Sequence, residues 1–379
     1  MTVRRPTHAG SWYSDNRATL QAQLDQWLDL VPGELEGLGK LPVPGARVII
    51  APHAGYSYSG PCAAFAYKCL DLSKAKRIFL IGPSHHRHLT TIALPELTGY
   101  LTPLSSTPLP LDTKVLGELE SHASSSAKRF TTMSPSVDEA EHSMELHLPY
   151  IHRLLQRLYP SQPTSAYPPL VPMMVGSTSA ATERAFGSIL GPYLADEENA
   201  FVISSDFCHW GSRFAYTYYT THAADAPYKM PLTYPSLPVP SDELTAAKAA
   251  EEVEVVSSGR MLGEKDKSYY QAKDACAIHE SISACDIACM SAIASGNTDV
   301  FLDALRRTGN TVCGRHPIGV VMAGMEGLQH DQAETTTTTT TEDGGVRKGK
   351  FYFLRYERSS DCFSLRDSSV SYVSAFAVL

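Results

Sequence analysis

Short runs of consecutive apolar residues, each closed by a loop-forming cluster, set the rhythm of this chain. Arg47-Val48-Ile49-Ile50-Ala51 runs into Pro52-His53-Ala54-Gly55-Tyr56, and Arg77-Ile78-Phe79-Leu80-Ile81 into Gly82-Pro83-Ser84-His85-His86. Ala200-Phe201-Val202-Ile203 likewise stops at Ser204–Trp210, SSDFCHW, and Leu170–Gly176 is a fourth run. Apolar runs of this length, without polar alternation, predict strands buried on both faces. Between them the period changes to that of a helix. Leu20, Leu24, Trp27 and Leu28 form an apolar stripe behind Ser14 or Asp15 as N-cap, Cys62–Leu70 is a small-residue helix, and Thr182–Leu194 turns Phe186, Ile189, Leu190, Tyr193 and Leu194 inward. Helical spacing returns at Ile278, Ile282, Cys285, Cys289 and Ile293, and again at Phe301, Leu302 and Leu305. The last elements are strands, Phe351–Tyr356 and Ser369–Val378. Strand and helix in alternation predict an α/β protein, a layered α/β/α fold around a mostly parallel central sheet.

Two stretches interrupt the pattern. In 223–272, Pro227, Pro231, Pro235, Pro238 and Pro240 precede the alanine-rich charged run DELTAAKAAEEVEVV. This predicts a partly disordered surface insert with room for a short helix. The homopolymer Thr335–Thr341, within 331–350, predicts a second disordered insert. The expectation is a single domain over residues 1–379 carrying both. A formal net charge of −8, with no basic stripe, argues against a nucleic-acid binder. No apolar stretch is long enough to span a bilayer, and the opening MTVRRPTHAGSWY lacks the apolar core of a secretory signal. The eight cysteines are scattered without framework spacing, which predicts reduced thiols and a cytoplasmic or nuclear protein.

The chemistry collects just past the predicted strands. Three strands each deliver histidine beyond their carboxyl ends, the edge at which open α/β sheets bind ligands. His53 follows the first. His85, His86 and His88 share the loop after the second, and only one of the three is expected to be a ligand. After Ile203, Asp206, Cys208 and His209 lie within four positions, and each can bind a metal or move a proton. His8 and Trp12 are candidates to line a pocket. Glu139–Tyr150 places Glu141, His142, Glu145 and His147 at near-helical spacing, but His142 and His147 are five apart, outside the zincin pattern. Either Glu145, with Pro149 and Tyr150, supports the site, or this is a solvated helix face with one inward histidine. Cys313 stands just before a predicted helix that begins near Pro317, beside Arg315 and His316. That position predicts a depressed thiol pKa. Cys285 and Cys289, four apart, read as core. The residues alone leave a metal site and a structural histidine set both open.

HAGSWY, APHAGYSY, GPSHH, EHSMELHLPY, SSDFCHWG, CGRHPIGV and DSSVSY, in this order, resemble the Memo family, named for a mediator of ErbB2-driven cell motility. The resemblance covers nearly the whole chain outside the two inserts. It implies a fold similar to the class III extradiol (LigB-type) dioxygenases, whose iron is held by two histidines and a glutamate. By this resemblance His53, His85 and Cys313 match metal-binding positions, with Asp206 and His209 beside them as catalytic candidates and His209 in the acid–base place. Cys313 stands where the dioxygenases have a carboxylate. A softer, oxidisable thiolate shifts preference towards copper, away from ordinary catechol cleavage. The resemblance therefore implies one mononuclear copper or iron site and a redox role linked to cell motility and cytoskeletal signalling. It also implies an alternative, a non-catalytic adaptor that binds phosphotyrosine peptides or signalling proteins. In that case Trp12, His53, His85, His209, Cys313 and Arg315 would line the ligand pocket.

Overall fold

The computed structural model describes residues 2–122, 130–221, 229–272, 275–335 and 346–379. The buried apolar runs form the centre of a ten-stranded mixed sheet. Its strands are β1 (Ala46–Ala51), β2 (Arg77–Pro83), β3 (Ile92–Pro95), β4 (Thr131–Met133), β5 (Leu170–Val175), β6 (Asn199–Ser204), β7 (Asp206–Trp210), β8 (Leu232–Thr233), β9 (Phe351–Arg358) and β10 (Ser369–Val378). The order is β8-β9-β10-β1-β6-β2-β5-β3-β4, with β7 paired to β10. Strands β1, β6, β2 and β5 run parallel, and every residue of β1, β5 and β6 is buried. That is why those segments carry no polar alternation. The outer strands turn antiparallel: β3 against β5 on one side, and β10, β9 and β8 in succession on the other.

Helices flank the sheet in two groups. On β1, β9 and β10 packs α2 (Tyr56–Cys69), covered in turn by α1 (Arg17–Leu30) and α4 (Leu148–Leu158); the short helix α3 (His142–Glu145) lies between α4 and β2. The other group contains α5 (Ala180–Ala195), α6 (Ala246–Val256), α7 (Ile278–Ala294), α8 (Thr298–Thr308) and α9 (Arg315–Thr335). Its most extensive contacts join α5 to α9 and α7 to α6. The layered α/β expectation therefore holds, with a sheet whose centre is parallel and whose margins are not.

Several local expectations change. Asn16, not Ser14 or Asp15, caps α1, because its side-chain oxygen reaches the Thr19 N–H at 3.0 Å. The stretch after β6 is a strand rather than a loop, since β10 offers it an antiparallel partner through Asp206↔Tyr372 and Trp210↔Ser369. The segment 139–152 is broken at Glu141 and His147 into short helices, and it is buried rather than solvated: Glu141, Glu145, His147 and His152 are inaccessible. Within the 223–272 insert, residues 229–272 carry α6, whose Ala249, Val253 and Val256 are buried against α7. An amphipathic spacing in the DELTAAKAAEEVEVV run supplies that apolar face. Residues 336–345, which include most of the threonine tract, lie outside the described residues.

Candidate metal centre

Parallel pairing in register brings the chemistry together. Ala51 pairs with Ser204 and Ile203 with Ile81, so β1, β6 and β2 end at the same level. The residues immediately beyond them, His53, Asp206 and His85, therefore meet at one edge of the sheet. A register shift between Asp206 and His209 lets the Asp206 carboxylate stay buried while His209 is only half-buried. Two close approaches complete the floor. A Cβ on Gly82 would lie 2.7 Å from Ser143 Oγ, so only glycine lets α3 come this near to β2. A Cβ on Gly314 would lie 2.3 Å from Ser205 Cβ and 2.4 Å from the Ser204 carbonyl oxygen, so only glycine lets the Cys313 loop rest on the end of β6.

His53 is buried, and its hydrogen bonds fix its tautomer. Ser204 Oγ donates to the Ser143 carbonyl at 2.7 Å, so at 2.6 Å it accepts from His53 Nδ1–H. The lone pair is thereby left on Nε2, 3.2 Å from Cys313 Sγ. Asp206 Oδ1 accepts the backbone N–H of His53 at 2.9 Å and of Ala54 at 3.3 Å, and its Oδ2 lies 3.9 Å from His53 Nε2. Burial, then the neighbouring His85 and His142, hold the His53 pKa well below its ordinary value. The ring is a neutral imidazole, the form that binds metals. Burial pushes the Asp206 carboxyl up from its ordinary value.

Cys313 corrects the expectation of a depressed pKa. Its sulfur turns inward, accepting the Asp206 backbone N–H at 3.1 Å, while Arg315 turns outward to donate from Nε to His316 Nε2 at 3.1 Å. His316 in turn donates from Nδ1 to the buried Glu183 at 2.7 Å. The two basic side chains are engaged elsewhere, so burial and then the Asp206 charge push the thiol well above its ordinary value. An ion that replaced the thiol proton would reverse this, because a coordinating thiol is deprotonated outright.

Among the described residues, His85 is the one histidine of its loop with a carboxylate partner: Glu141 Oε1 accepts from its Nδ1 at 2.9 Å, and Oε2 from its backbone N–H at 2.6 Å. His86 and His88 are exposed beyond it. Although burial opposes it, the hydrogen bond and charge of His85 hold Glu141 down at about 2. Sequence reasoning gave Glu141 no role; the signal was its place immediately before His142 in a segment rich in both acids and histidines. His142 itself stacks on His85 with ring centroids 4.4 Å apart, and on its other side Trp12 lies at 4.4 Å. Burial, then His85, lowers its pKa to about 3. Trp12 is 37% exposed at the rim. His8 holds this rim through Glu145, which accepts from its backbone N–H and from Nδ1, each at 2.9 Å. His209 Nδ1 hydrogen-bonds only to acceptors among the described residues, the Phe207 and Thr311 carbonyl oxygens at 2.9 and 3.3 Å. Its Nδ1 therefore carries the proton and Nε2 the lone pair. Cys208 points away into the core near Asp286.

One donor atom from each of His53, His85 and His142 lies within 4.8 Å of the others, and the same holds for His53, Asp206 and Cys313. His53 belongs to both sets. A cleft of about 350 Å³, lined by Ser84, His85, Thr311, Cys313, Arg315 and His316 among others, opens beside them. The donors suit a borderline-soft ion: neutral imidazole and thiolate are ligands for copper, zinc and iron. The carboxylate behind His85 is the usual support of a metal-ligating histidine. The residues present fit such an ion, although His85 and Cys313 fall in different sets and meet only through His53.

This edge, with histidine, aspartate and cysteine gathered at the carboxyl ends of a parallel sheet, defines an α/β protein with a candidate metal centre. Residues 4–376 match the family of Memo-like proteins. The chain is 38% identical to Protein MEMO1 of Xenopus laevis, over 99% of this chain and 97% of that protein. It is 37% identical to Protein MEMO1 of Homo sapiens, over 98% and 96%, and 35% identical to the MEMO1 family protein MHO1 of Saccharomyces cerevisiae, over the full length of both. The chain belongs to the Memo family. No helix among the described residues is long and apolar enough to cross a membrane.

Proposed function

We propose that this Memo-family protein binds one copper or iron ion through His53, His85 and Cys313 and serves in redox chemistry. The reading is carried by one observation: the Ser204 hydrogen bonds turn the lone pair of a buried His53 onto the Cys313 sulfur at 3.2 Å. Two strong metal donors face each other, with the Asp206 carbonyl oxygen 3.4 Å from the same sulfur. The ion would supply one-electron redox chemistry and a means of binding oxygen-containing ligands. The chain's own residues do the rest. Glu141 fixes the His85 ring, Asp206 holds the His53 backbone in place, and His209 accepts a proton at Nε2. Since Cys313 supplies sulfur where a dioxygenase has a carboxylate, catechol cleavage is not the reaction we assign. All eight cysteines are free thiols, which supports a reducing compartment, the cytoplasm or nucleus.

Elemental mass spectrometry of anaerobically purified protein tests this. We expect about one copper or iron per chain in the wild type, lost in His53→Ala and Cys313→Ser. A wild type that carries no metal and takes up neither Cu(I) nor Fe(II) contradicts the reading.

A second reading, an adaptor for phosphotyrosine peptides or signalling proteins acting in cell motility, draws on Arg315. Its two terminal amino groups have no partner among the described residues, and it stands at the mouth of the same cleft. A guanidinium so placed suits a phosphate. Peptide binding that persists in metal-free protein and is lost in Arg315→Ala would favour it.

A further inference from the structure

The two donor sets that share His53 differ in chemistry. One offers sulfur and carboxylate, from Cys313 and Asp206; the other is made of imidazole alone, from His53, His85 and His142. His142 is not an incidental neighbour of that second set. It is the first residue of α3, placed against β2 by the close approach at Gly82. Its ring is clamped between His85 and Trp12, each with a centroid separation of 4.4 Å, and lies 5.4 Å from the ring of His53. Glu141 Oε1 hydrogen-bonds His85 Nδ1 at 2.9 Å and lies 3.5 Å from His142 Nδ1. The buried carboxylate thus orients the His85 imidazole, the support that metal-bound histidines ordinarily have, and its charge faces the His142 ring stacked beside it.

We propose that His142 is a metal ligand, and that His53, His85 and His142 form a nitrogen-only coordination set alternative to the one containing Cys313. The inference rests on the metal-binding reading of the same edge but extends it to a residue and a metal preference which that reading does not contain. Thiolate favours Cu(I), whereas three imidazoles suit Cu(II) or Zn(II). With the thiol replaced, as in Cys313→Ser, the three-imidazole set retains a divalent ion. His53 is required by either set, and His85 stands ready to complete either of them. The proposal needs no change in the chain beyond side-chain adjustment around His53, because both sets already lie at the same edge.

The test uses the full chain and aqueous Cu(II) as probe, read by competition with a chelator and by electron paramagnetic resonance. Cys313→Ser is expected to bind one Cu(II) with nitrogen superhyperfine structure from three imidazoles. Adding His142→Phe, which keeps a ring in the stack but removes both nitrogens, should weaken that binding by about tenfold or more and leave two coupled nitrogens. Unfolding midpoints of the two proteins, measured without metal, check that the stack survives. Should His142→Phe leave affinity and spectrum of the Cys313→Ser protein unchanged, the proposal is overturned. It is equally overturned if wild type binds Cu(I) yet Cys313→Ser binds no Cu(II). A wild type that takes no Cu(I), beside a Cys313→Ser protein that takes Cu(II) through His142, would contradict the thiolate-bound site while leaving the imidazole set standing.

Discussion

Two buried polar clusters lie close together in this protein, and they are built on opposite principles. Around Arg4 every strong group is answered. Nε donates to Asp138 Oδ1 at 2.9 Å, one terminal nitrogen to Glu145 Oε2 at 2.6 Å and the other to the Glu141 carbonyl at 2.8 Å, while Tyr100 donates to Asp138 Oδ2 at 2.6 Å. Around His53 the donors confront each other instead: an imidazole lone pair faces a sulfur, and a buried carboxylate receives only backbone N–H groups. A satisfied network specifies a structure, whereas a cluster of unneutralised donors is organised for a partner that brings charge. Glu145 joins the two, since it also receives Tyr13 and His8 and so anchors the Trp12 rim to the Arg4 network. The lesson is that burial of charged groups alone does not mark a site; what marks it is which valences are left over.

The two clusters should differ most in what their central residues contribute to stability. Arg4→Met should destabilise the fold by about 3–5 kcal/mol, because it strands two buried carboxylates. His53→Ala should cost only about 1–2 kcal/mol, as expected for a lost buried hydrogen bond. Urea denaturation of metal-free proteins measures both. Equal costs would show that the His53 cluster is as structural as the other.

Acid should separate the groups next. His147 and His152, buried behind the site, have pKa values lowered by burial to about 3 and about 4. A histidine depressed in the folded state is protonated first in the unfolded chain, so stability is lost as pH falls below about 6.5. Glu145, despite burial, is held at about 2, chiefly by its bond from His8 and by the charge of Arg4. Its contribution is present above about 4.5 and is lost as pH falls from there towards 2. The urea midpoint should therefore decline in two stages. His147→Leu should remove part of the upper one, and Glu145→Gln part of the lower. A flat midpoint between pH 6.5 and 4.5 would contradict the neutral, buried histidines.

A smaller effect sharpens the role of the bridging carboxylate. Glu141→Gln keeps the shape but weakens the hold on the His85 ring. Metal affinity should fall about 10–100-fold, as read by chelator competition.

Much of this was legible in the chain. The unbroken apolar runs at 47–51, 77–81 and 200–203 are buried parallel strands, and parallel strands in register must deliver the residues just beyond their ends to one edge. His53, His85 and Asp206 were visible for that reason. What sequence could not show was direction. Cys313 precedes a helix and two basic residues, a setting that ordinarily yields thiolate, yet Gly314 presses its loop onto β6 and turns the sulfur inward, while Glu183 draws His316, and with it Arg315, away. His142 and Glu141 were hidden for a different reason: helical spacing describes one continuous helix, and the breaks at Glu141 and His147 set which faces point inward. The short helix expected in the 223–272 insert is there at residues 246–256; what the five preceding prolines hid is that its apolar stripe packs on α7.

The most direct test of the account is X-ray absorption at the copper edge of Cu(I)-loaded wild type and Cys313→Ser. In the wild type we expect nitrogen scatterers together with one sulfur at about 2.3 Å, the usual metal–thiolate distance, and no sulfur in the variant. A wild-type spectrum with no sulfur scatterer, or one that Cys313→Ser leaves unchanged, would contradict it.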